Sequence, residues 1–141
     1  MDIRTITPRY SVSPQICAED VAAIAAAGFK TVICNRPDAE VPPSHQADAI
    51  GAAVAAAGLT FKVLPLTHQT MNAENVALQR EFYEGCEGPV LAYCASGTRC
   101  SVVWALSQAS DLDVDTIMSA TTEAGYDLSG LRPTLEAISE T

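Results

Sequence analysis

Six consecutive residues, Cys94-Ala95-Ser96-Gly97-Thr98-Arg99, combine residue types that do chemistry together. They follow the apolar run Pro89-Val90-Leu91-Ala92-Tyr93 and precede Cys100-Ser101-Val102-Val103-Trp104-Ala105-Leu106, which reads as a helix. A cysteine at the end of a buried strand, followed by a turn into a helix, meets converging backbone N–H groups and the positive end of the helix dipole. Gly97 permits the positive φ that such a cradle needs. Arg99 offers a planar fork of donors to an oxyanion. The same field withdraws the proton from the thiol, and the thiolate is the nucleophilic form. Cys94 is therefore the candidate nucleophile and Arg99 its anion ligand. Ala95, Ser96, Gly97, Thr98 and Cys100 complete the candidate anion-binding loop. A single cysteine ending a strand is ordinarily a small packing residue. Cys, Gly and Arg placed jointly at a strand-to-helix junction are what argue for catalysis.

Two further side chains qualify as weaker catalytic candidates. His68 lies in the loop Pro65-Leu66-Thr67-His68-Gln69-Thr70-Met71, and Asp38 follows Asn35-Arg36-Pro37. Both loops end strands and belong on the rim where ligands of open α/β sheets bind. Either residue offers a general acid, and Arg36 offers to widen the anion site. The competing reading is an exposed loop histidine and an Arg36–Asp38 pair that fixes its own loop. Cys100 is either a packing residue or a redox partner for Cys94. The cysteines at 17, 34, 86, 94 and 100 are odd in number and irregular in spacing, which does not make a disulfide framework. No CxxC pair or Cys/His cluster has zinc-site spacing, so neither metal nor cofactor is expected.

Positioning that loop requires a sheet. Ile3–Thr5 and Tyr10–Val12 read as short β pieces, and Ala18–Ala27 as a helix stopped by Gly28. Thr31–Asn35 is a buried strand, and Ser44 is an N-cap for a helix from His45 to Ala57. Thr60–Leu64 is a strand, a helix runs from Asn72 or Ala73 to Tyr83, and Pro89–Tyr93 is a strand. Helices follow at about Cys100–Ser110, Val114–Ala124 and Pro133–Ser139, with Tyr93 and Trp104 as core residues and Arg132 tying down the C-terminal helix. Alternation of strands and helices predicts an α/β fold, a mostly parallel central sheet flanked by helices, with residues 1–141 as one catalytic domain.

The net charge of −9 disfavours nucleic acid and anionic membranes as partners. No apolar stretch approaches the roughly 20 residues of a membrane span, and the N-terminus lacks the features of a signal peptide. A cytoplasmic location is expected. Oligomeric state is not legible.

Cys-Ala-Ser-Gly-Thr-Arg-Cys-Ser after Pro-Val-Leu-Ala-Tyr resembles the active-site loop shared by rhodaneses and cysteine phosphatases. The segments AAIAAAGFKTVICNRPDAE, FKVLPL and EAGYDLSGLRP extend the likeness over nearly the whole chain. Together they resemble the phosphatase-like domain of beta-lactamase-hydrolase-like bacterial proteins. The resemblance implies a protein-tyrosine- or dual-specificity-phosphatase-like fold with cysteine chemistry. It admits both sulfur and phosphoryl transfer.

Two departures from the phosphatase pattern favour sulfur transfer. Four residues separate Cys94 from Arg99, as in many rhodaneses, where cysteine phosphatases have five. The loop after Phe61–Leu64, which carries the phosphatases' acid, has no carboxylate here. The leading expectation is a sulfurtransferase working through a Cys94 persulfide on a small anionic or persulfide substrate. The alternatives are a phosphatase working through a Cys94 phosphoenzyme on a phosphorylated substrate, and a non-catalytic anion-binding module.

Overall fold

The structure is a computed structural model and describes residues 1–140. Five strands form one sheet in the order β1-β2-β5-β3-β4: β1 (Arg4–Thr7), β2 (Tyr10–Ser13), β3 (Thr31–Cys34), β4 (Thr60–Val63) and β5 (Val90–Tyr93). β1 pairs antiparallel with β2, and the other pairings are parallel. The central strand, β5, is flanked by β2 and β3, and all four of its residues are buried. That is why Val-Leu-Ala-Tyr is continuously apolar, as expected of a parallel strand covered on both faces.

Successive residues of β5 feed opposite layers. Val90, Ala92 and Cys94 join the core beneath α3 (Ala73–Glu84), α4 (Thr98–Gln108), α5 (Val114–Glu123) and α6 (Arg132–Ser139). Leu91 and Tyr93 join the other core, beneath α1 (Val21–Ala26) and α2 (Ala47–Ala56). In the first layer Tyr10 stacks on Trp104 at 6.3 Å and meets Tyr83 edge-on at 5.0 Å. Such aromatic pairs contribute about 0.5–1.5 kcal/mol beyond their buried area. This packing seats α4, and with it the loop that α4 begins.

Element boundaries differ from the sequence reading where side chains beyond the local segment intervene. α4 begins at Thr98, two residues before the expected start, so Arg99 lies in its first turn. α2 begins at Ala47, and its first N–H is capped from a distance, Ala47 N donating to Asp38 Oδ1 at 2.8 Å. Ser44, the expected N-cap, lies in a short 3-10 turn at Pro43–His45 with its hydroxyl 2.8 Å from the His45 ring. The expected Ala18–Ala27 helix divides into a 3-10 turn at Ala18–Asp20 and α1; there the Asp20 carboxylate accepts from Cys17 N at 3.0 Å. β1 runs to Thr7, whose hydroxyl accepts from Arg9 N and Tyr10 N at the hairpin. Among the described residues no helix is long and apolar enough to cross a membrane.

Candidate functional site

Cys94 follows directly on β5, and Arg99 stands five residues later on α4. Gly97, the residue before α4, has φ +94°. A Cβ there would come within 2.1 Å of the Tyr126 hydroxyl, so both conformation and space demand glycine. The turn is tied by its own polar groups. Ser96 Oγ donates to Thr98 Oγ1 at 2.9 Å and accepts from Thr98 N at 3.3 Å. Ser101 Oγ and Ser101 N both donate to Gly97 O, at 2.9 and 3.0 Å. The hydroxyls of Ser96, Thr98 and Ser101 thus shape the loop, while its N–H groups face the sulfur.

The Cys94 sulfur is fully buried and accepts from Gly97 N at 3.1 Å. The Cys100 thiol donates to it, and the Cys100 and Ser96 N–H groups support the same charge. Burial opposes ionisation, but these donors prevail and the Cys94 pKa falls to about 5, with the Cys100 thiol the largest contribution. Cys100 itself is pushed up, first by burial and then by its bond to Cys94, so it stays a protonated donor. The pair divides the work: one cysteine is the thiolate, the other its hydrogen-bond donor.

The Arg99 guanidinium is clamped. Nη1 donates to Glu40 Oε2 at 2.9 Å and to Leu66 O at 2.8 Å, and Nη2 donates to Glu40 Oε1 at 2.8 Å. This fork-to-fork pairing fixes the plane of the guanidinium. Glu40 also accepts from Arg36 Nε at 3.1 Å, so Arg36 pairs with Glu40 where the sequence suggested Asp38. Arg99 and then Arg36 hold the Glu40 carboxyl below its usual range, which keeps it charged at neutral pH. Arg99, Glu40, His68, Met71 and Val102 line a depression of about 480 Å³, a mouth beside the Thr98–Arg99 end of the loop.

The secondary candidates separate. His68 is exposed and lines that mouth. Asp38 does not line it, and its carboxylate is committed to the start of α2. Cys17 donates to Asp20, and Cys34 and Cys86 donate to backbone carbonyls. Arg132 pairs with Asp115 of α5 and with Glu136. Among the described residues no group of three or more His, Cys, Asp and Glu is placed to hold a metal ion.

Glu40, Tyr126 and Gln79 escaped the sequence reading. Glu40 is a surface-type residue in a loop, and only the fold brings it 59 positions along the chain to Arg99. Tyr126 reaches back to donate to Ser96 O at 3.0 Å. Asn35 and Gln79 exchange two amide hydrogen bonds of 2.9 Å in the core; Gln79 also donates to Tyr10, which donates to Cys100 O. The available signals were weak: Glu40 follows Asp38 by two residues on the rim, and Gln79 is a polar residue on an otherwise packed helix face.

Residues 2–111 match the model of the family described as beta-lactamase hydrolase-like protein, phosphatase-like domain. The chain belongs to that family. A beta-lactamase hydrolase-like protein of Xylella fastidiosa (strain Temecula1) is 32% identical over 111 residues, which is 79% of this chain and 26% of that protein. The chain thus spans about a quarter of the length of the curated relatives it matches. The crystal structure of a candidate phosphatase from Neisseria meningitidis superposes with a TM-score of 0.87 at 35% identity, covering 98% of this chain and 99% of that one. PTPMT1 superposes with a TM-score of 0.76 at 12% identity, covering 98% and 94%, and so shares the fold. The α/β architecture of this family member is protein-tyrosine-phosphatase-like, and the phosphatase-type reading of its cysteine chemistry fits these similarities better than the sulfurtransferase reading favoured from loop length.

Proposed function

We propose that this family member is a phosphomonoester hydrolase with Cys94 as nucleophile. The observation that carries the reading is the buried Cys94 sulfur receiving the Gly97 N–H at the end of β5, five residues before a guanidinium clamped by Glu40. The thiolate attacks phosphorus, a sulfur–phosphorus bond forms, and the ester oxygen leaves and takes a proton. Water then attacks the thiophosphate, releasing phosphate and restoring the thiolate. Glu40 keeps Arg99 in one plane, so the donors that meet the phosphoryl oxygens are preorganised.

The leaving group decides the substrate class. Glu40 is the carboxyl at the mouth, and it stays ionised under two arginines, so it does not serve as an acid. His68 is the remaining titratable proton donor there, and it is exposed. Aryl phosphates, whose leaving oxygens need little protonation, suit this site better than alkyl phosphates. Met71 and Val102 give the mouth an apolar wall for an aromatic ring.

Sulfur transfer remains the second reading because the loop has four residues between Cys94 and Arg99, and transfer from thiosulfate needs no acid. Mass spectrometry of Cys94 after brief exposure to an aryl phosphate, and separately to thiosulfate, distinguishes them. A phosphoryl adduct with turnover of the aryl phosphate is expected. A persulfide on Cys94 with no phosphoryl adduct and no turnover replaces the proposal with sulfur transfer.

A further inference from the structure

One peptide group lies between the nucleophile and a residue far along the chain. Its N–H belongs to Gly97 and donates to Cys94 Sγ at 3.1 Å. Its carbonyl belongs to Ser96 and accepts from the Tyr126 hydroxyl at 3.0 Å. The two ends of a trans peptide point in opposite directions, so this unit bridges Tyr126 and the sulfur.

We propose that Tyr126 is a positioning residue for the nucleophile: its hydroxyl holds the Ser96–Gly97 peptide with the N–H aimed at the Cys94 sulfur.

The loop needs such a restraint. Turning this peptide over would bring the Ser96 carbonyl towards the thiolate and take away a donor. The rotation falls on ψ of Ser96 and φ of Gly97, and glycine, already at φ +94°, resists it least of all residues. The glycine that permits the cradle therefore also permits its inversion. A hydroxyl that donates to the outward carbonyl opposes the flip, and it polarises the peptide so that its N–H is the stronger donor. Tyr126 is itself held. It is buried, follows α5, and carries the Arg4 guanidinium 5.5 Å from its ring centre, while Arg4 Nη1 donates to Ala124 O at 3.1 Å. The Tyr126 oxygen occupies the space that a Gly97 Cβ would need, so tyrosine and glycine are mutually fitted. Tyr126 does not reach the sulfur and acts through the peptide. The inference concerns the ionisation of Cys94 alone, so it stands whether the group transferred is phosphoryl or sulfur.

The test is the rate of iodoacetamide alkylation of Cys94 against pH, followed by peptide mapping, in wild type and Tyr126→Phe. The phenylalanine keeps the ring and removes only the donor. The midpoint of Cys94 ionisation is expected to rise by about half to one pH unit. Alkylation at about pH 5 then slows roughly two- to five-fold, while the plateau rate at high pH, which reports access to the sulfur, is unchanged. A folded Tyr126→Phe protein with the wild-type midpoint overturns the proposal, as does a lowered plateau with an unmoved midpoint. If Tyr126→Phe does not fold, Arg4→Met, at a partly exposed position, carries the test by loosening the tyrosine while leaving its hydroxyl. A smaller rise in midpoint is then expected, and an unchanged midpoint counts against the role.

Discussion

At the scale of single residues, Cys94 and Glu40 set the pH behaviour. An unfolded cysteine titrates near pH 8.5, and folded Cys94 at about 5. Between these values the unfolded chain carries a proton that the folded chain has lost, so stability contributed by this group rises with pH. The slope is at most about 1.4 kcal/mol per pH unit; the contribution is complete above the unfolded value and is lost as pH falls through about 5. Urea unfolding of wild type and Cys94→Ala across this range is expected to show a difference in stability that grows with pH; a difference independent of pH would refute the thiolate. The acid limb of kcat/KM should fall at the same value of about 5. Glu40→Gln replaces charge-assisted bonds to Arg99 with weaker ones. It is expected to reduce kcat/KM about ten-fold while leaving the Cys94 alkylation midpoint in place, since Glu40 touches the guanidinium and not the sulfur. Steady-state kinetics alongside alkylation separates the two effects.

At the scale of elements, the question is what each helix start is for. Asp38 caps α2 across nine residues, and its carboxylate is spent there. Asp38→Ala should cost about 0.5–2 kcal/mol of stability, as removal of an N-cap does. Its kcat/KM should stay within about three-fold of wild type. A loss of 10²-fold or more, the size typical of a general acid, would return Asp38 to the catalytic apparatus. α4 has no side-chain cap; its first turn is occupied by the loop that faces Cys94. Gly97→Ala puts a Cβ against the Tyr126 hydroxyl and strains a residue at φ +94°. It should both destabilise the protein and raise the Cys94 midpoint, which thermal melting and alkylation would read separately.

Across the whole molecule, buried polar groups connect the layers. Asn35 after β3, Gln79 on α3, Tyr10 on β2 and the Cys100 carbonyl on α4 form one chain of hydrogen bonds, with Leu64 O accepting from Asn35. Every member lies in the interior, where an unsatisfied amide is costly. Gln79→Leu leaves Asn35 Oδ1 without its donor, while Asn35 Nδ2 keeps Leu64 O, and is expected to cost about 1–3 kcal/mol. Asn35→Leu with Gln79→Leu removes both sides, so the double variant should be less destabilised than the sum of the single ones. Denaturant unfolding of the four proteins measures the coupling, and strict additivity would show that the amide pair is not a unit.

The sequence by itself determined the alternation of strands and helices, the apolar run of β5, and the placement of Cys94, Gly97 and Arg99 at the junction it leads into. These follow from local periodicity and turn chemistry, which neighbouring residues decide among themselves. It also held the two cysteines six positions apart, without saying which would keep its proton. Only tertiary structure decided that Cys100 is the donor and Cys94 the thiolate, that Glu40 clamps Arg99, that Asp38 serves α2, and that Tyr126 reaches Ser96. The physical reason is range. Hydrogen bonds and desolvation act over a few ångströms, and the partners of these groups come from loops that only the packing of helices on a sheet brings together.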